Sequence, residues 1–239
     1  MSPAPLRVSR QPDGEPEIFH SLQGEGVSIG TPSVFLRLAL CNLVCTWCDT
    51  RYTWDWRAYD YRVEVMEAPL EIVEEKIVGY ECPHLVVTGG EPLLQQKALA
   101  PLLHSLARRG FSIEVETNGT ITPEPGLLET VEQWNVSPKL ANSVNSPHRR
   151  EVSESLHAFQ HLPNAYFKLV VVEPSDLEEI VALVQTYDIP RNRVILMPEG
   201  RDPQHLRESS EWLSRICVKE GFRFSSRLHI LLWGDKRGT

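Results

Sequence analysis

The chain has no apolar run approaching the ~20 residues that a membrane-spanning helix needs. Its opening residues, Met1-Ser2-Pro3-Ala4-Pro5-Leu6-Arg7, lack the apolar core of a secretory leader. A cytoplasmic, reducing location is therefore expected. Basic residues are not in excess: Lys and Arg number 24 against 32 Asp and Glu, a formal net charge of −8. That balance argues against broad electrostatic binding to nucleic acid or anionic membrane, so neither is an expected partner. Internal repeats and low-complexity tracts are missing. With 41% hydrophobic and 23% charged positions in 239 residues, the composition is that of a globular protein with ample length for a core. Cysteine is scarce, five in all and an odd number. This excludes a small disulfide scaffold and points to a metal or a reactive thiol.

What is present alternates. Short apolar runs rich in β-branched and aromatic residues occur at 34–40, 84–88, 112–117, 166–172 and 193–197, and read as buried strands. Between them lie helical patterns. Leu70, Val73 and Ile77 share one face; Leu99, Leu102, Leu103 and Leu106 share another, stopped by Gly110. Ser175-Asp176-Leu177-Glu178 has the form of a capping box, opening a helix that buries Ile180, Leu183 and Val184. Strand–helix alternation implies an α/β fold with a parallel sheet. The strands are too few for a full eight-fold barrel, so a partial barrel or an open sheet is expected. Either places ligands at the carboxyl ends of the strands. That rule selects residues 41–50, 89–92, 116–119, 137–139 and 197–200 as one rim. The whole chain, 1–239, reads as a single domain. Residues 1–16, rich in Pro, Gly and charge, read as an N-terminal arm.

The rim begins with Cys41-Asn42-Leu43-Val44-Cys45-Thr46-Trp47-Cys48, three thiols in eight residues directly after the first apolar run. Three thiolates in one loop can converge on a soft metal centre. Structural zinc prefers four protein ligands, and Asp49 or His20 would have to complete the set. A 4Fe–4S cluster normally takes four cysteines, so three would leave one iron open to an outside ligand. Cys82 and Cys217 stand alone and read as packed thiols. The next run ends in Thr88-Gly89-Gly90-Glu91-Pro92. Paired glycines there would let backbone approach a ligand closely. Arg37 is a charge inside an apolar strand, suited either to a structural ion pair or to gripping a carboxylate. Arg51 to Met66 is an aromatic segment with Tyr52, Trp54, Trp56, Tyr59 and Tyr61, suited to a lid, a dimer surface or a docking site.

The C-x3-C-x2-C spacing followed by GGEP resembles the radical S-adenosylmethionine (SAM) superfamily. The flanks narrow this further. Phe19 to Gly26 (FHSLQGEG), Gly30-Thr31-Pro32, Phe35-Leu36-Arg37, Trp47 to Thr50 (WCDT), Glu116 to Gly119, Ser137-Pro138-Lys139 and Leu228 to Gly238 resemble the 7-carboxy-7-deazaguanine synthase family over nearly the whole chain. The resemblance implies a partial, TIM-type radical SAM barrel of about six parallel strands with fewer helices. It implies a lyase of queuosine biosynthesis, hence of tRNA modification. A 5′-deoxyadenosyl radical from SAM would remove hydrogen from C6 of 6-carboxy-5,6,7,8-tetrahydropterin, and ring contraction with loss of ammonia would give 7-carboxy-7-deazaguanine. It implies a 4Fe–4S cluster on Cys41, Cys45 and Cys48, and Mg2+ on Thr50. SAM would meet Trp47, Cys48, Asp49, Gly90, Glu91, Ser137, Pro138 and Lys139. The pterin would meet Leu22, Gln23, Gly24, Arg37 and Thr88, with Gln23 using its side-chain amide. A homodimer and an electron donor such as flavodoxin are the implied partners. Thr50 as a simple turn cap, Glu91 as a loop brace, and a frayed tail from Trp233 to Gly238 are the plainer readings. A glycyl-radical enzyme activase shares CxxxCxxC and GGEP and is the competing enzyme. A ferredoxin-like electron carrier or a zinc-stabilised module is the non-enzymatic alternative.

Overall fold

The computed structural model describes residues 4–239, so the first three residues of the expected arm lie outside the described residues. The strands are β1 (Leu6–Ser9), β2 (Ile18–Leu22), β3 (Pro32–Leu38), β4 (Val65–Ala68), β5 (His84–Gly89), β6 (Ser112–Thr117), β7 (Gln133–Val136), β8 (Ala165–Val171), β9 (Val194–Pro198) and β10 (Arg223–Phe224). The helices are α1 (Tyr61–Glu64), α2 (Leu70–Val78), α3 (Gln96–Arg108), α4 (Pro125–Leu128), α5 (Pro147–Arg150), α6 (Ser153–His161), α7 (Asp176–Thr186), α8 (Pro203–Glu220) and α9 (Leu228–Trp233).

All ten strands form one sheet in the order β10-β9-β8-β7-β6-β5-β3-β1-β4, with β2 paired to β3 off that path. From β3 to β10 every pairing is parallel. The pairings of β1, β2 and β4 are antiparallel. The end strands β4 and β10 do not pair with each other. The result is an α/β partial barrel whose long parallel strands are β3 and β5 to β9. No helix among the described residues is long and apolar enough to cross a membrane.

The five apolar runs fall on β3, β5, β6, β8 and β9. Strand β3 stops at Leu38, two residues short of the expected end, because Leu40 turns left-handed with φ 76°. The N-terminal segment is more than an arm. Leu6 and Val8 are fully buried, and β1 pairs with β4 from Leu6↔Ala68 to Ser9↔Val65. Helix α7 forms and buries Ile180, Leu183 and Val184, but not through a capping box. Ser175 is itself helical and caps nothing. The Asp176 carboxylate instead accepts from the backbone N–H of Val172 (2.7 Å) and from Asn142 Nδ2 (2.8 Å), pinning the helix start to the end of β8.

Alternation along the strands separates two faces. Leu85, Val87, Ile113, Val115, Phe167, Leu169 and Leu196 belong to one continuous apolar core with the helices. Full burial of one such side chain contributes about 1.5–3 kcal/mol. The opposite face carries a small apolar cluster of Phe19, Phe35 and Val86. Its other positions include Glu114, Glu116, Asn135 and Lys168. That face leads to the cavity.

Candidate active site

A cavity of about 470 Å³ opens at the carboxyl ends of the parallel strands. The loops after β3, β5, β6, β7 and β9 all reach it, as expected for this rim. The segment 227–239 supplies a further wall.

The cysteine loop is built by backbone contact. The turned Leu40 donates its N–H to Thr53 O (2.8 Å) and accepts from Glu91 N (2.8 Å), while Gly90 N donates to Leu38 O (2.9 Å). A Cβ on Gly89 or Gly90 would lie 2.0 Å from the carbonyl oxygen of Leu38 or Leu40. The two glycines are thus required where the β3 and β5 loops touch, rather than by ligand approach alone. Glu91 lies behind them, fully buried and outside the cavity wall. Its carboxylate accepts from Leu93 N (3.0 Å), Thr117 Oγ1 (2.8 Å) and Asn118 N (2.7 Å). Burial still pushes its carboxyl upward. Of the two readings of Glu91, direct ligand contact and loop brace, the geometry is that of the brace.

Cys41, Cys45 and Cys48 all line the cavity. Each sulfur meets an N–H donor. Leu43 N lies 3.4 Å from Cys41 Sγ, Asn145 Nδ2 3.3 Å from Cys45 Sγ, and Trp54 Nε1 3.3 Å from Cys48 Sγ. Burial pushes the Cys41 thiol up to about 12, and it also raises Cys45. Donors aimed at sulfur suit thiolates whose charge is shared with a metal cluster. The residues therefore fit a three-cysteine iron–sulfur centre. They fit the zinc alternative less well. His20 is exposed on β2 against Tyr80, and Asp49 is held by Arg227. Cys82 and Cys217 are buried elsewhere.

Around this loop, Trp47 Nε1 donates to Asn142 Oδ1 (3.1 Å), and Lys139 Nζ lies 5.5 Å over the Trp47 ring. Lys139 Nζ also donates to Ser137 Oγ (2.7 Å). Ser137 and Lys139 line the cavity; Pro138 between them does not. Thr50 lines it as well, and its side chain caps no turn. The Thr50 hydroxyl lies 3.6 Å from Cys48 Sγ.

The floor is a buried charge network that the sequence reading missed. Glu25 is paired to Lys168 and to Arg227 Nε (3.0 Å), and Arg227 to Asp49. These cations hold the Glu25 carboxyl far below the ordinary carboxylate range despite burial. Lys168 Nζ is 3.9 Å from Glu116, which accepts from Thr88 Oγ1 (2.7 Å). Gln23 Nε2 donates to Glu114 (2.7 Å) and Glu116 (3.3 Å), and its Oε1 accepts from Glu25 N (3.1 Å). Both ends of that amide are thus engaged within the protein. Gln23 lines the cavity with its amide bracing two carboxylates. Burial lifts Glu114 to about 7 and lowers His84, weakening the charge on both sides of their 3.6 Å contact. A charge inside an apolar strand was the available signal for Lys168, the same one that marked Arg37.

Leu22, Gly24, Arg37 and Thr88 face the same cavity. Gly24 is seated under the tail. Its carbonyl accepts from Leu228 N (2.8 Å), and a Cβ there would lie 2.0 Å from the His229 ring. Arg37 Nε donates to Glu17 Oε1 (2.8 Å), so Arg37 makes the structural ion pair and also faces the cavity. The tail is tied down: Arg237 pairs with Glu17 (3.0 Å) and Glu64 (2.9 Å). The aromatic segment divides. Tyr52 is buried beside Glu17, whereas Trp56, Tyr59 and Tyr61 are exposed.

Residues 38–170 match the family model of the Radical SAM superfamily. The chain is 42% identical over 224 residues to the 7-carboxy-7-deazaguanine synthase of Pyrobaculum aerophilum, covering 93% of this chain and 95% of that one. It is 38% identical to the synthase of Hyperthermus butylicus, covering 90% and 91%. The crystal structure of QueE from Escherichia coli superimposes with a TM-score of 0.70 at 27% identity, covering 94% of this chain and 95% of that one.

Proposed function

Because the chain belongs to the 7-carboxy-7-deazaguanine synthase family of radical SAM enzymes, we propose that it converts 6-carboxy-5,6,7,8-tetrahydropterin to 7-carboxy-7-deazaguanine and ammonia, on the route to queuosine. The observation that carries this reading is a single cavity. Three cysteine sulfurs with N–H donors, the Thr50 hydroxyl and the Arg37 guanidinium all open into it. When bound, the 4Fe–4S cluster and SAM supply the one-electron chemistry that begins the ring contraction.

The chain's own residues hold and orient. Cys41, Cys45 and Cys48 ligate the cluster. Trp47, Cys48, Asp49, Gly90, Ser137 and Lys139 form the SAM wall, with Glu91 bracing it from behind. Arg37 grips the pterin carboxylate with a planar fork. Thr50 offers one oxygen to Mg2+, whose remaining ligands come from substrate and water. The backbone of residues 22–24 and the side chain of Thr88 border the pterin. Glu116 offers an acceptor to ring N–H groups. Residues 235–239 add to the lining of this cavity of about 470 Å³, a size that suits a small molecule better than the large protein that a glycyl-radical activase would take. A homodimer in the cytoplasm, reduced by a flavodoxin-type donor, completes the reading on family grounds.

The test is anaerobic turnover of the reconstituted enzyme with reductant, SAM, Mg2+ and the pterin, read by mass spectrometry. Formation of 7-carboxy-7-deazaguanine is the expected result. Cleavage of SAM without that product would discard the substrate assignment.

A further inference from the structure

We propose that Glu17 is a positioning residue for the substrate carboxylate, holding the Arg37 fork toward the cavity with one oxygen and anchoring the closing tail with the other. This rests on the role of Arg37 proposed above. Glu17 precedes β2 and is fully buried. It does not line the cavity, so it reaches a ligand only through other side chains. Its Oε1 accepts from Arg37 Nε (2.8 Å) and from the Tyr52 hydroxyl (2.9 Å). Its Oε2 accepts from Arg237 Nε (3.0 Å). The backbone repeats the first link, with Arg37 N donating to Glu17 O (3.0 Å).

Two consequences follow for Arg37. Its Nε is committed, which fixes the plane of the guanidinium. Neither Nη has a hydrogen-bond partner among the described residues, and the side chain faces the cavity. A guanidinium held by its Nε presents two parallel N–H donors, the geometry that a carboxylate accepts. Phe19 supports it from one side, its ring centroid 5.8 Å from the guanidinium carbon.

The same carboxylate ties in the tail. Arg237 stacks 3.6 Å over the Tyr52 ring and also reaches Glu64 (2.9 Å). Asp235 to Thr239 line the cavity that Arg37 faces. Three segments distant in sequence therefore meet on this buried acid: β3 through Arg37, the aromatic segment through Tyr52 and the tail through Arg237. An amide in its place would leave Arg37, the substrate fork, without its paired counter-charge and Arg237 with Glu64 alone.

The experiment compares wild type, Glu17→Gln and Tyr52→Phe as reconstituted holoenzymes. Anaerobic binding is measured for 6-carboxytetrahydropterin and for tetrahydropterin lacking the carboxylate. Hydrogen exchange is followed at residues 234–239. Glu17→Gln is expected to lose about tenfold in preference for the carboxylated pterin, a cost typical of a lost charge-assisted contact. Binding of the carboxyl-free pterin should stay within about twofold, KM should change more than kcat, and tail exchange should quicken. Equal weakening of both pterins would overturn the proposal by showing a purely structural role; so would an unchanged preference. If Glu17→Gln does not fold, Tyr52→Phe, which removes one hydrogen bond to the same oxygen, must show a smaller loss of preference; its absence overturns the proposal. A wild-type enzyme that binds both pterins equally would remove the Arg37 assignment itself, a failure read without any variant.

Discussion

On β8, Phe167, Leu169 and Val171 pack into the helix-side core, while Lys168 between them is enclosed with Glu25 on the cavity side. On β6, Ile113 and Val115 face the same core, while Glu114 is buried on the opposite side with Gln23 and Glu116 lines the cavity. Both faces are largely buried, yet they are held by different physics. The helix side gains from apolar area and tolerates any well-packed hydrophobe of suitable size. The cavity side encloses charge, which is stable only while every partner stays in place. One face gives the enzyme its stability, and the other gives it a preorganised site.

That contrast can be broken by substitution. The largest effect is expected for Cys45→Ala. Iron content after reconstitution should fall and turnover should vanish, with the far-UV circular dichroism of the wild type retained. On the helix side, Phe167→Ala should cost about 3–5 kcal/mol in denaturant unfolding. Turnover per folded, iron-loaded molecule should stay near wild type. A large loss of specific activity would blur the division between faces. On the cavity side, Lys168→Met should cost about 2–4 kcal/mol, because Glu25 and Glu116 lose a buried cation. Here specific activity should fall as well.

A pH series sharpens the comparison. Glu114 rises from 4.5 to about 7 in the folded chain. The folded state then binds more protons than the unfolded state between those values, so this group's contribution falls as pH rises through that window and levels off above it. Glu114→Gln should remove a decline of about 2–3 kcal/mol, seen by comparing unfolding of variant and wild type from about pH 5 to about pH 8. Glu25 has the opposite sign. Its carboxyl is depressed, so its contribution is present above the ordinary carboxylate value and is lost as pH falls below it. The smallest effect belongs to neither face. Arg215→Ala breaks the exposed i,i+4 pair with Glu211 on α8 and should change stability by less than about 0.5 kcal/mol.

The helix side was legible in the sequence, because alternation and helical periodicity report burial of apolar groups. The runs on β3, β5, β6, β8 and β9 are direct examples. The cysteine loop was legible too, because three thiols at that spacing are rare without a metal. The cavity side was only partly so. Glu114 and Lys168 alternate with hydrophobes as solvent-facing residues do, and no local pattern shows that Lys168 meets Glu25 across 143 positions. Asn118, Asn145 and Trp54, the donors around the sulfurs, come from three separate segments that only the sheet order brings together. The capping box failed for a related reason. Asp176 makes a better contact with the end of β8 than Ser175 could make locally.

Among the described residues this incomplete barrel leaves free edges at β4, at β10 and at β2, which pairs only with β3, each a place where another chain could add a strand. Here those edges are brief. β10 has two residues, β4 four and β2 five, with Arg223 and Glu67 placing a charge on the first two. Edges this short offer few ladder groups to a foreign strand. Self-association through the backbone is therefore discouraged without the closure that a full barrel would impose on the substrate's entrance.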